Sequence, residues 1–241
     1  MHPTVAPVTN AACVHMFVNY VRANTCVACH QNVDADLLQA GHPELIFELD
    51  GQAVTQPKHW RETTNWNGAQ AWWTGQSAAL REMSWQITNE KSPTENQVNR
   101  WEGLIWLFNQ MEKPKAGAIP SAIEEAKTVQ QATDAGAKYL FDVLRDKGMH
   151  AFLSSLASAS ADFRDSSISQ PLQARRAERL VLALDRLVTA LPELDKNEPV
   201  QSALKQLFKD AQSLPDFNPT QFAEHLSDFQ KALTSLAPSN K

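Results

Sequence analysis

Cysteine is scarce in this chain, 3 in 241 residues, yet two of the three stand three positions apart with a histidine directly behind them, in Cys26-Val27-Ala28-Cys29-His30. Two thiols at that spacing can form thioether bonds to the two vinyl groups of one porphyrin, and the adjacent imidazole then lies under the iron. The pentapeptide would arise by chance in roughly one such chain in a thousand. The sequence therefore predicts one covalent haem c, attached through Cys26 and Cys29, with His30 as proximal iron ligand. Such a group needs apolar walls, which limits how the neighbouring elements can pack.

Two other uses of these residues were weighed. A zinc site could draw on Cys13, His15, Cys26 and Cys29, but Cys13 and His15 are separated by one residue where finger-type sites use two or more. A thioredoxin-like dithiol requires a βαβ setting, and no such pattern surrounds Cys26. With two cysteines used by haem, Cys13 is left as an unpaired thiol, so no disulfide framework is expected.

Composition narrows the class. Hydrophobic residues make up 43% and charged residues 20% of the chain, as in an ordinary globular protein. The net charge is -5, and Lys and Arg are scattered, so nucleic acid and anionic lipid are not expected partners. No apolar run approaches the roughly 20 residues of a membrane span. The stretch Met1–Pro7 has no basic region followed by an apolar one. Because bacteria attach c-type haem outside the cytoplasmic membrane, the expected location is periplasmic or extracellular, with an export leader already removed.

Along the chain, Val14, Phe17, Val18 and Val21 recur at helical spacing and predict a helix over 10–23 leading into the motif. His15 and Met16 lie on it. Pro43 suits the first position of a helix, which would set His42 at a fixed corner, able to present its imidazole or simply to cap or face solvent. Asp50-Gly51 allows either a hairpin turn or a helix end. All seven tryptophans fall between Trp60 and Trp106, serving either as ordinary core or as the wall of a haem pocket. Helices are predicted through Trp72–Ile87 and, after a capping box at Ser92–Glu95, through Val98–Met111.

Residues 113–120, with two prolines and a glycine, read as a linker between a haem domain over 1–112 and a second domain over 121–241. There, Ser121 with Glu124 forms a capping box for a helix stopping at Gly148, and a weaker helix follows through Phe152 and Phe163. A regular stripe from Ala177 to Leu191 comes next. Two shorter helices complete the set, capped by Asn197 and Asn218. The expected fold is all-α, with the second domain an antiparallel helical bundle. Met149, His150 and His225 are expected to be structural.

The stretch from Cys26 to Arg81 resembles a module of bacterial multihaem cytochromes related to cytochrome c-554. The matching residues are Cys26–His30, Ala40-Gly41-His42-Pro43-Glu44-Leu45-Ile46-Phe47-Glu48, Pro57-Lys58-His59-Trp60, and Trp73-Thr74-Gly75-Gln76 with Ala78 to Arg81. It departs from that pattern in lacking a second C-x-x-C-H downstream and in having Ala35 where such modules often carry histidine. The resemblance implies a multihaem domain reduced to one haem, with His42 as distal iron ligand and His59 as the alternative.

The expected function is a one-electron carrier with bis-His ligation, serving redox protein partners, alone or docked in a larger respiratory complex. No catalytic acid–base set stands out. The alternative is a haem c protein with an open sixth position that binds or transforms nitric oxide, peroxide or hydroxylamine.

Overall fold

The computed structural model describes residues 11–31, 33, 35–42, 44–49, 68–111, 148–213 and 216–236. Every regular element among them is helical, so the fold is all-α. The elements are α1 (Ala11–His30), α2 (Ala35–Gln39), α3 (Gly68–Asn89), α4 (Glu95–Met111), α5 (Met149–Ala157), a 3-10 turn (Ala159–Arg164), α6 (Gln170–Thr189), α7 (Pro192–Asp195), α8 (Glu198–Ala211) and α9 (Pro219–Thr234). No helix among the described residues is long and apolar enough to cross a membrane.

The caps explain several boundaries. Asn197 and Asn218 each accept a hydrogen bond from a first-turn amide, Val200 N and Gln221 N, both at 3.1 Å, and a proline follows within the first two positions. Ser169 does the same for α6. The capping box of α4 lies two residues beyond the expected place. Thr94 Oγ1 accepts from Gln97 N at 3.2 Å and Gln97 Oε1 accepts from Thr94 N at 2.7 Å, so the Thr94–Gln97 pair, not Ser92–Glu95, starts the helix.

Helix α3 is buried on almost every side between Ala69 and Leu80. Its hydroxyls are satisfied internally: Thr74, Ser77 and Ser84 each donate to the carbonyl four residues back, which lets polar residues enter the core without orphaned groups. Ser84 Oγ also accepts from Trp101 Nε1 at 3.0 Å, joining α3 to α4.

Helix α6 carries the expected stripe, with Ala177, Leu180, Leu184, Leu187 and Val188 all fully buried. Each such leucine contributes about 2 kcal/mol of burial. The stripe packs against α4, α5 and α8. Where α6 meets α4, Gly103 lets the helices close, since a Cβ there would stand 3.1 Å from the Arg175 backbone.

The linker expected at 113–120 lies outside the described residues, as does the helix expected before Gly148. The described segments on either side of it share one hydrophobic core. Trp73 meets Phe152 of α5 at 5.2 Å with the rings tilted by 60°, and Trp106 of α4 meets Phe163 at 5.4 Å. Trp106 Nε1 and Gln110 Nε2 both donate to Asp162 Oδ2 at 2.7 Å. Trp72, Trp73, Trp101 and Trp106 are core residues, whereas Trp85 is half exposed.

One expectation fails on the segment after His42. A helix opening at Pro43 is not formed: residues 44–48 have no regular structure. The cause is competition for the backbone. Leu45 O accepts from Arg100 Nη2 at 2.6 Å and Phe47 O from Gln76 Nε2 at 2.7 Å, so side chains of α4 and α3 take carbonyls that a helix would use. Phe47 and Leu49 are driven into the core instead.

Candidate functional site

The motif occupies the last turn of α1, which runs further than the predicted 10–23 and ends on His30. In a helix, positions i, i+3 and i+4 share a face, so Cys26, Cys29 and His30 lie together. Ala23 and Val27, three residues before Cys26 and His30 respectively, flank that face; both are fully buried and fix the helix. Helix α1 packs on α3, with Arg81 Nη1 donating to Asn24 Oδ1 at 2.6 Å. The turn is thus anchored along one flank and open to solvent at Cys29 and His30. Cys26 is half-buried, Cys29 and His30 are exposed, and both thiols are free.

Directly behind His30, Gln31 is fully buried, and neither its Nε2 nor its Oε1 has a hydrogen-bond partner. An unmet buried amide costs about 1–3 kcal/mol per group, so this site carries unspent polar capacity next to the motif. Gln76, equally buried, shows the contrast: its Nε2 donates to Phe47 O, and its Oε1 accepts from Arg179 Nη1 at 2.9 Å.

His42 follows α2 through a turn in which Gly41 has φ +93°, a left-handed conformation suited to glycine. Its backbone N donates to Leu37 O at 2.9 Å, and its side chain is exposed. His59 and Pro57 to Trp60 lie outside the described residues, as do the side chains of Cys13, His15 and Met16.

Beyond His42 runs the strap Glu44–Leu49, and here two pieces of the sequence pattern meet. Gly75 and Gln76 of α3 seat the strap: a Cβ at Gly75 would come within 2.9 Å of Leu49 Cβ and Leu49 N. Trp72 Nε1 donates to Glu48 Oε1 at 2.9 Å. Four arginines surround the strap, three of them from α6. Arg175 Nη2 reaches Glu44 Oε2 at 2.6 Å, Arg100 Nη1 reaches Glu44 Oε1 at 3.4 Å, and Arg186 Nη2 lies 3.5 Å from Glu48 Oε1. Arg179 acts through Gln76. These arginines were not singled out by sequence reasoning, because nothing in their spacing distinguishes them from an ordinary solvated helix face.

The electrostatics divide the two carboxylates. Burial pushes Glu44 upward, but Arg100, Arg175 and the Asn96 amide outweigh it and hold its pKa below the ordinary value. At Glu48 burial wins over Arg186 and Trp72, and the pKa is raised. Arg179 is pushed down to about 10, first by desolvation and then by repulsion from Arg100. It remains charged at neutral pH.

The other two described histidines each pair with a carboxylate. His225 Nδ1 pairs with Asp210 Oδ2 at 2.6 Å, and His150 Nε2 with Glu193 Oε1 at 2.7 Å. Met149 packs partly buried against the core. Among the described residues no group of three or more His, Cys, Asp or Glu side chains is gathered to hold a bare metal ion.

The set that fits a prosthetic group is therefore this turn: two free thiols and an accessible imidazole together, on a helix pinned along the Ala23 and Val27 flank. The donor chemistry suits a covalently attached haem. Compared with known protein families, curated proteins and solved structures, the chain matches none.

Proposed function

We propose that this chain is a monohaem c-type cytochrome that carries single electrons outside the cytoplasmic membrane. The observation that carries the reading is the grouping of Cys26, Cys29 and His30 on the last turn of α1 with both thiols unpaired. Bound there, haem supplies a one-electron iron couple.

The protein's own residues would do the rest. Cys26 and Cys29 would form the thioethers, and His30 would serve as proximal ligand. His42, placed by the Gly41 turn and the Leu37 carbonyl, is the proposed distal ligand, with His59 as the alternative. Ala23 and Val27 hold the attachment turn against α3, so the ligand set has little freedom to rearrange when the charge on the iron changes. Two imidazole ligands give a lower potential than a His/Met pair, because thioether sulfur favours the ferrous state.

The test is the full chain produced with a haem c maturation system. The expected result is a covalent haem adduct, lost in Cys26→Ala/Cys29→Ala, and a low-spin spectrum that carbon monoxide does not change. His42→Ala should turn it high-spin, and His59→Ala should not. Failure to acquire haem overturns the proposal. A carbon-monoxide-reactive parent instead replaces the carrier with a protein whose sixth position is open to a small ligand.

A further inference from the structure

The helices after residue 148 have no role in the reading above, yet α6 sends three arginines to the strap that begins two residues after His42. Arg175 is the closest to that end. Its Nη2 bonds Glu44 Oε2 at 2.6 Å and Asn96 Oδ1 at 2.7 Å, and its Nη1 lies 3.0 Å from Glu178 Oε2. Arg100 of α4 grips the same carboxylate and the next carbonyl, Leu45 O. Asn96 Nδ2 donates to Glu44 Oε1 at 2.8 Å. Both Glu44 oxygens are thus engaged by α4 and α6.

His42 is bracketed. On one side its own amide is bonded to Leu37 O. On the other, Glu44 is fixed by two guanidinium groups and the Asn96 amide, charge-assisted contacts stronger than neutral hydrogen bonds. Between them stands Pro43, whose ring restricts φ and shortens the list of conformations through which slack could be taken up. A histidine whose backbone is held on both sides starts its side chain from one fixed place.

We propose that Arg175, with Arg100, is a positioning residue for the sixth iron ligand: the C-terminal half of the chain, through α6, holds Glu44 and thereby keeps His42 on the iron. The inference rests on the reading of this chain as a haem c protein with His42 ligation. It gives the C-terminal helices a function, as the outer frame that sets the coordination state of a haem attached to α1. Loosening the frame is expected to convert a closed electron-transfer haem into one that accepts an external ligand.

The experiment compares the haem-loaded full chain with Arg175→Gln, Arg175→Lys and Leu204→Ala. Leu204 is a core residue of α8 that takes no part in the strap network, so Leu204→Ala controls for general loss of stability. Arg175→Gln is expected to keep its covalent haem while the fraction of ferrous protein that binds carbon monoxide rises about tenfold. Arg175→Lys, which keeps one ion pair but not the fork, should fall between it and the parent. Leu204→Ala should melt earlier with an unchanged spectrum. In the haem-free chain, Arg175→Gln should also accelerate hydrogen exchange at the amides of Ile46 to Leu49 relative to Leu204→Ala.

The inference is overturned if Arg175→Gln binds carbon monoxide no more than the parent, or if Leu204→Ala opens the haem equally for the same loss in Tm. It is overturned as well if His42→Ala leaves the parent's spectrum unchanged. A parent that acquires no haem sinks the functional reading itself, and the strap's exchange rates then report only a structural brace.

Discussion

Gly75 shows how much one missing methyl group decides. Its hydrogen leaves room for Leu49, and a Cβ would meet both the Leu49 side chain and its backbone nitrogen at 2.9 Å. Because backbone cannot swing aside as a side-chain tip can, Gly75→Ala should lower stability by about 1–3 kcal/mol, measured by urea unfolding, despite the better helix propensity of alanine. The two glutamates of the strap should give opposite pH signatures. Glu48 has a raised pKa, so the folded state holds its proton more tightly; its contribution is best below the ordinary value of 4.5 and declines as pH rises through the raised value. Glu48→Gln should therefore gain on the parent between pH 4.5 and 7. Glu44 has a lowered pKa, and its contribution is present above 4.5 and lost as pH falls through the lowered value. Glu44→Gln should lose against the parent as pH climbs to 4.5 from the acid side and run nearly parallel to it above. Thermal melts of both variants from below pH 4.5 up to 7 check the two windows.

Between elements, the decisive joint is polar. Gln76 on α3 bonds the strap with one end and Arg179 on α6 with the other, and Arg179 is only 2% exposed. A buried guanidinium stripped of its acceptor is expensive, while a well-packed apolar pair can replace such an arrangement at little cost. Gln76→Met alone should cost about 3 kcal/mol. Arg179→Met added to it should recover much of that loss, although Phe47 O still lacks its donor. A double-mutant cycle measured by chemical unfolding gives the coupling, and additive losses would show that the two side chains act independently. The sequence showed the glutamine within Trp-x-x-Gly-Gln but not its partner, because Gln76 and Arg179 are 103 residues apart and α6 reads locally as an amphipathic helix with an ordinary charged side.

Across the whole molecule, the described segments before and after residues 112–147 share one core. All seven tryptophans precede residue 107, so indole fluorescence arises in the first part, with Trp73 and Trp106 at its contact with the second. Leu187, fully buried on α6, belongs to the other part. Leu187→Ala should cost about 2–5 kcal/mol and move the tryptophan fluorescence midpoint as far as the midpoint seen by far-UV circular dichroism. A fluorescence transition left in place would show that the two parts unfold separately.

The sequence by itself determined the local structure and the candidate chemistry. Helical periodicity, the Asn197 and Asn218 caps and the Cys26-to-His30 spacing are written within a few residues of one another, and nearby residues interact through one turn of helix whatever the rest of the chain does. The all-α class follows from those signals. What only the tertiary structure decided involves partners distant in sequence. The Pro43 signal for a helix loses to side chains of α3 and α4 that take the carbonyls of Leu45 and Phe47. The capping box settles on Thr94 and Gln97. Arg175 and Arg186, half-buried, and Arg179, buried and acting through Gln76, become partners of a strap more than a hundred residues earlier. A charged side chain carries no local mark of whether it will meet water or a carboxylate, because its desolvation is set by what other segments pack over it, and that is a property of the fold.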